Sequence, residues 1–188
     1  MKIKADAVLD AKGLACPMPI VKTKKTLTTL EGGQVLEVQA TDKGSTADLK
    51  AWAESTGHQY LGTVEEGDAL KHFVRKASGE ETLEKKFERV TGNAELQEKI
   101  ESGEEIVVLD VREEAEYFFK HIPTAVSIPL GELEARMNEL DKEKDIFVVC
   151  RTGSRSDFAS QKLEAAGFQK VTNVVPGMSG WEGKTESN

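Results

Sequence analysis

The sequence predicts two domains of the α/β and α+β classes: an N-terminal two-layer sandwich of order β-α-β-α-β-β and a C-terminal parallel α/β domain. In the first part, apolar and polar residues alternate, which is typical of strands buried on one face. In the second part, short continuous apolar runs predict a parallel sheet covered on both faces. A polar stretch separates them, so we assign residues 1–76 to the first domain, 77–87 to a linker and 88–185 to the second domain.

The N-terminal pattern predicts four strands and two helices. The helices carry clear end signals: Pro17 suits a first helical turn, Ser45 with Asp48 resembles a capping box, and Gly57 suits a helix end. Residues 65–68 are typical of a hairpin turn. We expect strands at residues 3–9, 36–40, 60–64 and 70–74, and helices at about 17–30 and 45–57.

The C-terminal pattern predicts alternating strands and helices. Its strands are largely apolar rather than alternating, as expected for a sheet with helices on both faces. We expect strands at residues 106–111, 126–128, 146–150 and 171–175, and helices at 94–100, 130–140 and 154–166.

Composition excludes several classes of protein. The formal net charge is −8, and it is uneven: residues 1–76 carry 11 Lys and Arg against 10 Asp and Glu, whereas residues 77–188 carry 14 against 23. Such an acidic chain is not expected to bind nucleic acid. It has no apolar run long enough for a membrane span, and its charged start does not resemble a signal peptide. Two distant cysteines, without a Cys-x-x-Cys motif, predict no disulfide scaffold, metal site or other cofactor, and they favour a reducing cytoplasm.

The most informative stretch runs from Asp145 to Ser156. A predicted strand ends at Cys150, a polar loop follows, and a predicted helix begins. Free N–H groups at a helix start favour an anion such as a thiolate or persulfide. Arg151 and Arg155 add positive charge. The alternative is that Cys150 is a buried structural thiol at the end of a core strand, although the two arginines argue against an apolar pocket.

Cys150-Arg-Thr-Gly-Ser-Arg155-Ser156 resembles the active-site loop of the rhodanese sulfurtransferases. Asp110-Val-Arg112-Glu113, His121-Ile-Pro123 and the segment from Gly177 to Trp181 occur at rhodanese-like spacing, although Lys120 and Thr124 stand where the family commonly has glycines. The resemblance implies that Cys150 is catalytic and that the donor is thiosulfate or a low-molecular-weight persulfide. It also implies substrate binding by the loop residues Arg151, Thr152, Gly153, Ser154, Arg155 and Ser156.

Two further residues near this motif have alternative roles. Arg112 either helps to position the loop or forms an ion pair that braces the strand end with Asp110, and we favour the ion pair. His121 lies in an Ile-Pro turn, where a structural hydrogen bond is favoured over a role as general base for Cys150. We treat Asp110 and Arg112 as supporting residues.

Leu14-Ala-Cys16-Pro17-Met18-Pro19, followed by the segment from Asp42 to Gly57, resembles the SirA/TusA-like sulfur carriers. In that family the cysteine of the Cys-Pro-x-Pro motif carries sulfur as a persulfide, which implies this role for Cys16. The motif alone is also compatible with a helix start that has an incidental cysteine. The position before a helix and several nearby lysines predict a positive potential around this thiol; these lysines are Lys12, Lys22, Lys24 and Lys25.

Together the two resemblances predict a sulfurtransferase in which Cys150 exchanges sulfane sulfur with Cys16, in a direction that the sequence leaves open, and passes it to a downstream thiol acceptor protein. A second hypothesis is a phosphatase, since some phosphatases resemble rhodaneses. Their loop is Cys-x5-Arg, whereas this one is Cys-x4-Arg and is less suited to a phosphate. A third is a sulfide or redox sensor in which the two thiols form a reversible disulfide.

Overall fold

The computed structural model describes residues 3–78 and 86–188, and its contacts divide the chain into the units Met1–Gly79 and Glu80–Asn188. Each unit is built around its own β-sheet. Residues 79–85 of the predicted linker lie outside the described residues. Within the described ranges, every helix is too short or too polar to cross a bilayer.

The N-terminal unit has the predicted order of elements. Its sheet has the strand order β1-β2-β4-β3, in which β1 and β2 are parallel and the other neighbours are antiparallel. Leucines of both helices pack on alternate residues of β2 and on Val74, which gives the two-layer sandwich. The elements are β1 (Ala7–Asp10), α1 (Met18–Leu27), β2 (Val35–Ala40), α2 (Ser45–Thr56), β3 (Gln59–Glu66) and β4 (Ala69–Arg75).

The predicted capping box at the start of α2 is wrong. Gly44 is the N-cap residue and no side chain caps the helix. The Ser45 hydroxyl donates instead to the carbonyl oxygen of Asp42, at 2.6 Å, and also contacts Nε2 of the buried His72, at 2.8 Å. His72 is therefore a core residue with polar partners. The helix ends as predicted, with Gly57 in the left-handed conformation.

The C-terminal unit is the predicted parallel α/β domain. Its five strands lie in the order β5-β9-β8-β6-β7, and all neighbours are parallel. The elements are β5 (Val90–Gly92), α3 (Asn93–Glu101), β6 (Ile106–Asp110), α4 (Glu114–Phe119), β7 (Val126–Ser127), α5 (Leu133–Arg136), β8 (Asp145–Val149), α6 (Ser154–Ala165) and β9 (Val171–Val175). The predicted helix at 130–140 is broken into the single turn of α5 and flanking 3-10 turns at 130–132 and 137–139.

The central strand β8 explains the apolar run in the sequence. Ile146 and Val148 join one buried cluster, and Phe147 and Val149 join another, so the two faces of the strand are buried in different cores. Trp181 lies in the second cluster and is therefore a core residue. Because β8 lies between β9 and β6, the residue that follows it emerges at the middle of the sheet edge, where open α/β sheets place their ligand sites.

Candidate functional site

Cys150 follows β8 directly, and three residues separate it from the start of α6. The side chain is fully buried and contacts the apolar cluster beneath it. Its sulfur nevertheless has polar partners: the Gly153 N–H donates to Sγ at 3.0 Å, and Sγ donates to the Ser156 hydroxyl at 3.3 Å. The expectation that the arginines exclude an apolar surrounding is therefore correct for only one side of the thiol.

Gly153 gives the loop the shape that points its N–H at the sulfur. Its φ of +94° lies in the left-handed region, which glycine adopts without the steric cost of a side chain. As the N-cap residue of α6, it turns the chain into the helix at this point. The sulfur of Cys150 therefore meets a backbone donor at the start of a helix, where negative charge is favoured.

Arg155 does not extend from the loop as a free positive charge. Its guanidinium forms two hydrogen bonds with the Glu116 carboxylate of α4, from Nη1 at 2.7 Å and from Nη2 at 3.1 Å. Both side chains are almost completely buried. This pairing joins the first turn of α6 to α4, and the substrate-binding role that the resemblance implies for Arg155 stays a prediction.

The other predicted loop residues differ in their exposure. Arg151 and Thr152 are half-buried, whereas Ser154 is buried at the first position of α6. The Thr152 hydroxyl oxygen is shielded from solvent and has no hydrogen-bond partner among the described residues. Arg151 is therefore the loop arginine whose side chain retains access to solvent.

Asp110 and Arg112 form the ion pair that the sequence favoured. Arg112 Nη2 lies 2.7 Å from Asp110 Oδ2 and donates a second hydrogen bond to the Lys120 carbonyl oxygen, also at 2.7 Å. The pair thus joins the end of β6 to the turn that follows α4. His121 is held in that turn by its Nδ1, 2.7 Å from the Tyr117 carbonyl oxygen, and by stacking on the Tyr117 ring, as expected for a structural histidine.

The segment after β9 packs against the Cys150 loop and forms backbone hydrogen bonds with it. The N–H groups of Met178 and Ser179 donate to the carbonyl oxygens of Cys150 and Arg151, at 2.8 and 2.9 Å. Gly177 lies so close that a Cβ there would be 2.3 Å from the Cys150 carbonyl oxygen. Only a residue without a side chain can therefore pass this close to the loop.

Two asparagines near the loop were not identified from the sequence. Asn173 of β9 is fully buried, accepts a hydrogen bond from the Ser156 hydroxyl, and donates to the Gly153 carbonyl oxygen at 3.2 Å. Asn93 exchanges two hydrogen bonds with the backbone of Gly177. Asn173 has a detectable signal, because it is the only amide side chain in the run Val-Thr-Asn-Val-Val of a predicted buried strand.

Cys16 lies two residues before α1 and is exposed. Its N–H donates to the Asp42 carboxylate at 3.1 Å. A hydrogen bond with Asp48 raises the pKa of the Cys16 thiol, and partial loss of solvent and the negative charges of Asp48 and Asp42 act in the same direction. The predicted positive environment is therefore wrong, because two carboxylates from the start of α2 outweigh the helix start and the lysines.

The site contains no obvious metal centre. Across residues 3–78 and 86–188, no group of three or more His, Cys, Asp and Glu side chains is arranged to hold a metal ion. The polar groups around each cysteine belong to the backbone, to hydroxyls and to carboxylates.

Comparison with known proteins identifies both units. The family model for sulfurtransferase TusA matches residues 7–76, and the model for the rhodanese-like domain matches residues 92–184. The chain is 55% identical to the "Putative sulfur carrier protein YrkF" of Bacillus subtilis (strain 168), over 98% of this chain and all of that protein. It is also 44% identical to the "Putative sulfurtransferase YtwF" of the same organism, over 50% of this chain and 89% of that protein.

Solved structures support the fold of the C-terminal unit. The rhodanese-like domain of Alr3790 from Anabaena sp. matches 54% of this chain and 81% of its own, with a TM-score of 0.51 and 29% identity. A rhodanese-like domain protein from Staphylococcus aureus matches 54% of this chain and 99% of its own, with a TM-score of 0.51 and 28% identity. The chain belongs to the family of proteins that join a TusA-type sulfur-carrier domain to a rhodanese-like sulfurtransferase domain.

Proposed function

We propose that this sulfurtransferase carries sulfane sulfur as a persulfide on Cys150 and exchanges it with Cys16 of the sulfur-carrier domain. The observation that carries the proposal is the hydrogen bond from the Gly153 N–H to Cys150 Sγ, at 3.0 Å, at the end of a central strand. A fixed backbone dipole of this kind stabilises negative charge that develops on sulfur during transfer. Family membership supports the same chemistry.

The proposed reaction has two steps. In the first, the Cys150 thiolate attacks the outer sulfur of thiosulfate; a new S–S bond forms, the old one breaks, and sulfite leaves with the bonding electron pair. A low-molecular-weight persulfide would react in the same way and release its thiolate. In the second step, an acceptor thiolate attacks the outer sulfur of the Cys150 persulfide and Cys150 thiolate is released.

Arg151 is the better candidate for attracting an anionic donor to the loop. Its side chain is half-buried, whereas Arg155 forms two hydrogen bonds with Glu116. We therefore assign donor attraction to Arg151 and anchoring of the loop to Arg155. The backbone from Thr152 to Ser156 would surround the transferred sulfur.

Cys16 is the proposed partner on the same chain. Its exposure suits exchange with Cys150 and with a downstream thiol protein. A short tether between two sites gives an effective concentration of about millimolar, so that transfer within one chain can compete with transfer between chains. Two free thiols require a reducing compartment, for which we propose the cytoplasm.

Neither alternative gains support. A phosphatase loop needs an arginine that is available to the phosphate, and the Arg155 guanidinium is occupied by the Glu116 carboxylate. No relative described above carries either function in its name.

Single cysteine variants test the proposal. Cys150→Ser should abolish transfer of sulfur from thiosulfate to cyanide, while Cys16→Ser should retain this step and lose delivery to a protein thiol. Intact-mass spectrometry after exposure to thiosulfate should show the gain of one sulfur atom on Cys150 and its appearance on Cys16. Normal turnover by Cys150→Ser would refute the assignment, and a loss of two hydrogens without added sulfur would indicate a disulfide switch.

A further inference from the structure

Four buried groups form a closed ring of hydrogen bonds on the inner side of the Cys150 loop. The Cys150 thiol donates to the Ser156 hydroxyl at 3.3 Å, and that hydroxyl donates to Asn173 Oδ1. Asn173 Nδ2 donates to the Gly153 carbonyl oxygen at 3.2 Å, and the Gly153 N–H donates back to the sulfur at 3.0 Å. Cys150, Ser156 and Asn173 each have no exposed surface. We call this set of residues the sulfur ring.

The chemistry of each group fixes the direction of the ring. The Gly153 carbonyl oxygen only accepts hydrogen bonds, so Asn173 must present its NH₂ group there and its Oδ1 to Ser156. The single proton of the Ser156 hydroxyl is then directed to Asn173, which leaves a lone pair of that oxygen facing the thiol. One amide side chain thus determines the orientation of both groups that contact the sulfur.

We propose that Asn173 is a positioning residue for sulfur transfer: it holds the backbone at Gly153 so that the N–H of this glycine points at Cys150 Sγ. The inference rests on the proposed role of Cys150. Asn173 itself lies within β9 and contacts the sulfur only through Gly153 and Ser156. The N–H and the C=O of Gly153 belong to two adjacent peptide planes that are joined by the φ and ψ angles of this residue, so a donor that fixes the carbonyl limits the rotation that would carry the N–H away from the sulfur.

The precision of this arrangement matters because glycine has a wide choice of backbone conformations, and the φ of +94° at Gly153 is one that other residues rarely adopt. The Gly153 carbonyl oxygen also accepts the Asp157 N–H, at 3.1 Å, as the first backbone hydrogen bond of α6. Without Asn173 the carbonyl would keep this bond but lose its side-chain donor, the buried Ser156 hydroxyl would lose its acceptor, and both groups could turn relative to the sulfur. Rearrangement would move the N–H away from the sulfur, and misplacement by about 1 Å is enough to cost roughly 10²-fold in rate.

Asn173→Asp tests the inference with one atom changed. At neutral pH the carboxylate still accepts from Ser156, but its second oxygen faces the Gly153 carbonyl oxygen and repels it. A protonated carboxyl regains one donor and one acceptor, as in the amide. Burial raises the pKa of a carboxyl above its usual value of about 3.9, so that protonation falls within reach of an assay between pH 8 and pH 5.

The measurement is kcat/KM for sulfur transfer from thiosulfate, expressed as the ratio of variant to wild type at each pH. For Asn173→Asp the ratio should be reduced at least about tenfold at pH 8 and should rise as the pH falls. Asn173→Leu, which has neither donor nor acceptor, should lose activity without this recovery. Asn138→Asp makes the same chemical change at an exposed position of the same unit and should match wild type throughout.

Folding is followed in parallel by circular dichroism, and Asn173→Ser replaces the leucine variant if that variant does not fold. If Asn173 were merely structural, its variants would be less stable, and the ratio of variant to wild-type kcat/KM, counted per folded molecule, would not depend on pH. A flat ratio for Asn173→Asp, or wild-type activity of Asn173→Leu, would overturn the inference. If Cys150→Ser is inactive while the Asn173 variants are fully active, only the positioning role fails; if Cys150→Ser is active, the proposed function itself fails.

Discussion

The close contact between Gly177 and the Cys150 loop makes a sharp prediction for Gly177→Ala. A Cβ at this position would lie 2.3 Å from the Cys150 carbonyl oxygen and 3.2 Å from its carbonyl carbon. Gly177 has φ of +94° and ψ of −147°, a region that is essentially restricted to glycine. The variant must therefore move the backbone of residue 177, the loop at Cys150, or both.

The expected loss of unfolding free energy in Gly177→Ala has two causes, the unfavourable backbone conformation and the steric contact of the new Cβ. A residue forced into such a conformation costs about 1–3 kcal/mol. Overpacking against a rigid neighbour adds about 1–3 kcal/mol, because the neighbour is backbone and cannot change rotamer. Alanine also lowers the conformational entropy of the unfolded chain, which offsets about 0.4–1 kcal/mol of this loss. The free energy of unfolding of the C-terminal unit should fall by roughly 1–6 kcal/mol.

Urea unfolding and thiosulfate sulfurtransferase activity measure the two consequences. Because Met178 and Ser179 hold the loop through the Cys150 and Arg151 carbonyl groups, displacement of Gly177 should also lower kcat/KM by about 10–100-fold. Gly131→Ala is the matched control, since a Cβ at Gly131 meets no atom within 4 Å. Equal unfolding midpoints for wild type, Gly177→Ala and Gly131→Ala would refute the reasoning.

Three further predictions concern buried or partnered charges. Glu116→Gln breaks a buried ion pair and should lower the free energy of unfolding of the C-terminal unit by about 3–5 kcal/mol in urea titrations. Burial lowers the pKa of His72 from 6.5 to about 4, so its stabilising contribution is complete above about pH 6.5 and is lost as the pH falls toward 4. The loss is at most about 3 kcal/mol, measured as urea unfolding of the N-terminal unit at pH 7 and pH 4. Asp48→Asn removes the hydrogen bond that raises the pKa of Cys16, so iodoacetamide alkylation of Cys16 in a Cys150→Ser background should reach half its maximal rate at lower pH.

Each of these predictions has a control in the same unit. Glu139→Gln breaks an exposed pair with Arg136 and should cost about 1 kcal/mol or less. His72→Gln should remove most of the acid-dependent loss, and a loss that persists in this variant would contradict the assignment to His72. Asp68→Asn, in an exposed hairpin turn, should leave the pH dependence of Cys16 alkylation unchanged. An unchanged profile in Asp48→Asn as well would show that its carboxylate does not act on the thiol.

The fold was predictable where the pattern is long enough to be unambiguous. The run from Ile146 to Cys150 and the run from Ile106 to Leu109 are apolar on every residue, and both form central strands buried on two faces. The edge strand β5 has only three residues, so no periodicity can develop. The helix expected over residues 130–140 breaks into short turns, a detail that depends on packing beneath it rather than on local preference.

The candidate site was predictable in its reacting atoms and not in their partners. Cys150 and Cys16 stand in motifs that are recognisable from adjacent residues. Glu116 is 39 positions from the arginine it binds, and Asn173 is 17 positions from Ser156, so neither pairing has a local signature. The sequence alone therefore predicted that Arg155 faces the donor and did not show that both of its terminal nitrogens donate to a buried carboxylate on α4.

The two cysteines show why a helix start alone does not determine the state of a thiol. Both precede a helix, but Cys150 receives a hydrogen bond from a backbone N–H, whereas Cys16 is hydrogen-bonded to a carboxylate that raises its pKa. A macrodipole contributes about 0.3–1 kcal/mol at an exposed site, and a carboxylate in direct contact with the thiol outweighs it. A thiol must lose its proton before it attacks a persulfide, and the raised pKa of Cys16 makes this loss harder at neutral pH. Of the two sulfur atoms, Cys150 Sγ receives a backbone donor and Cys16 Sγ faces carboxylates, so the pH dependence of the proposed exchange should follow the exposed Cys16 thiol.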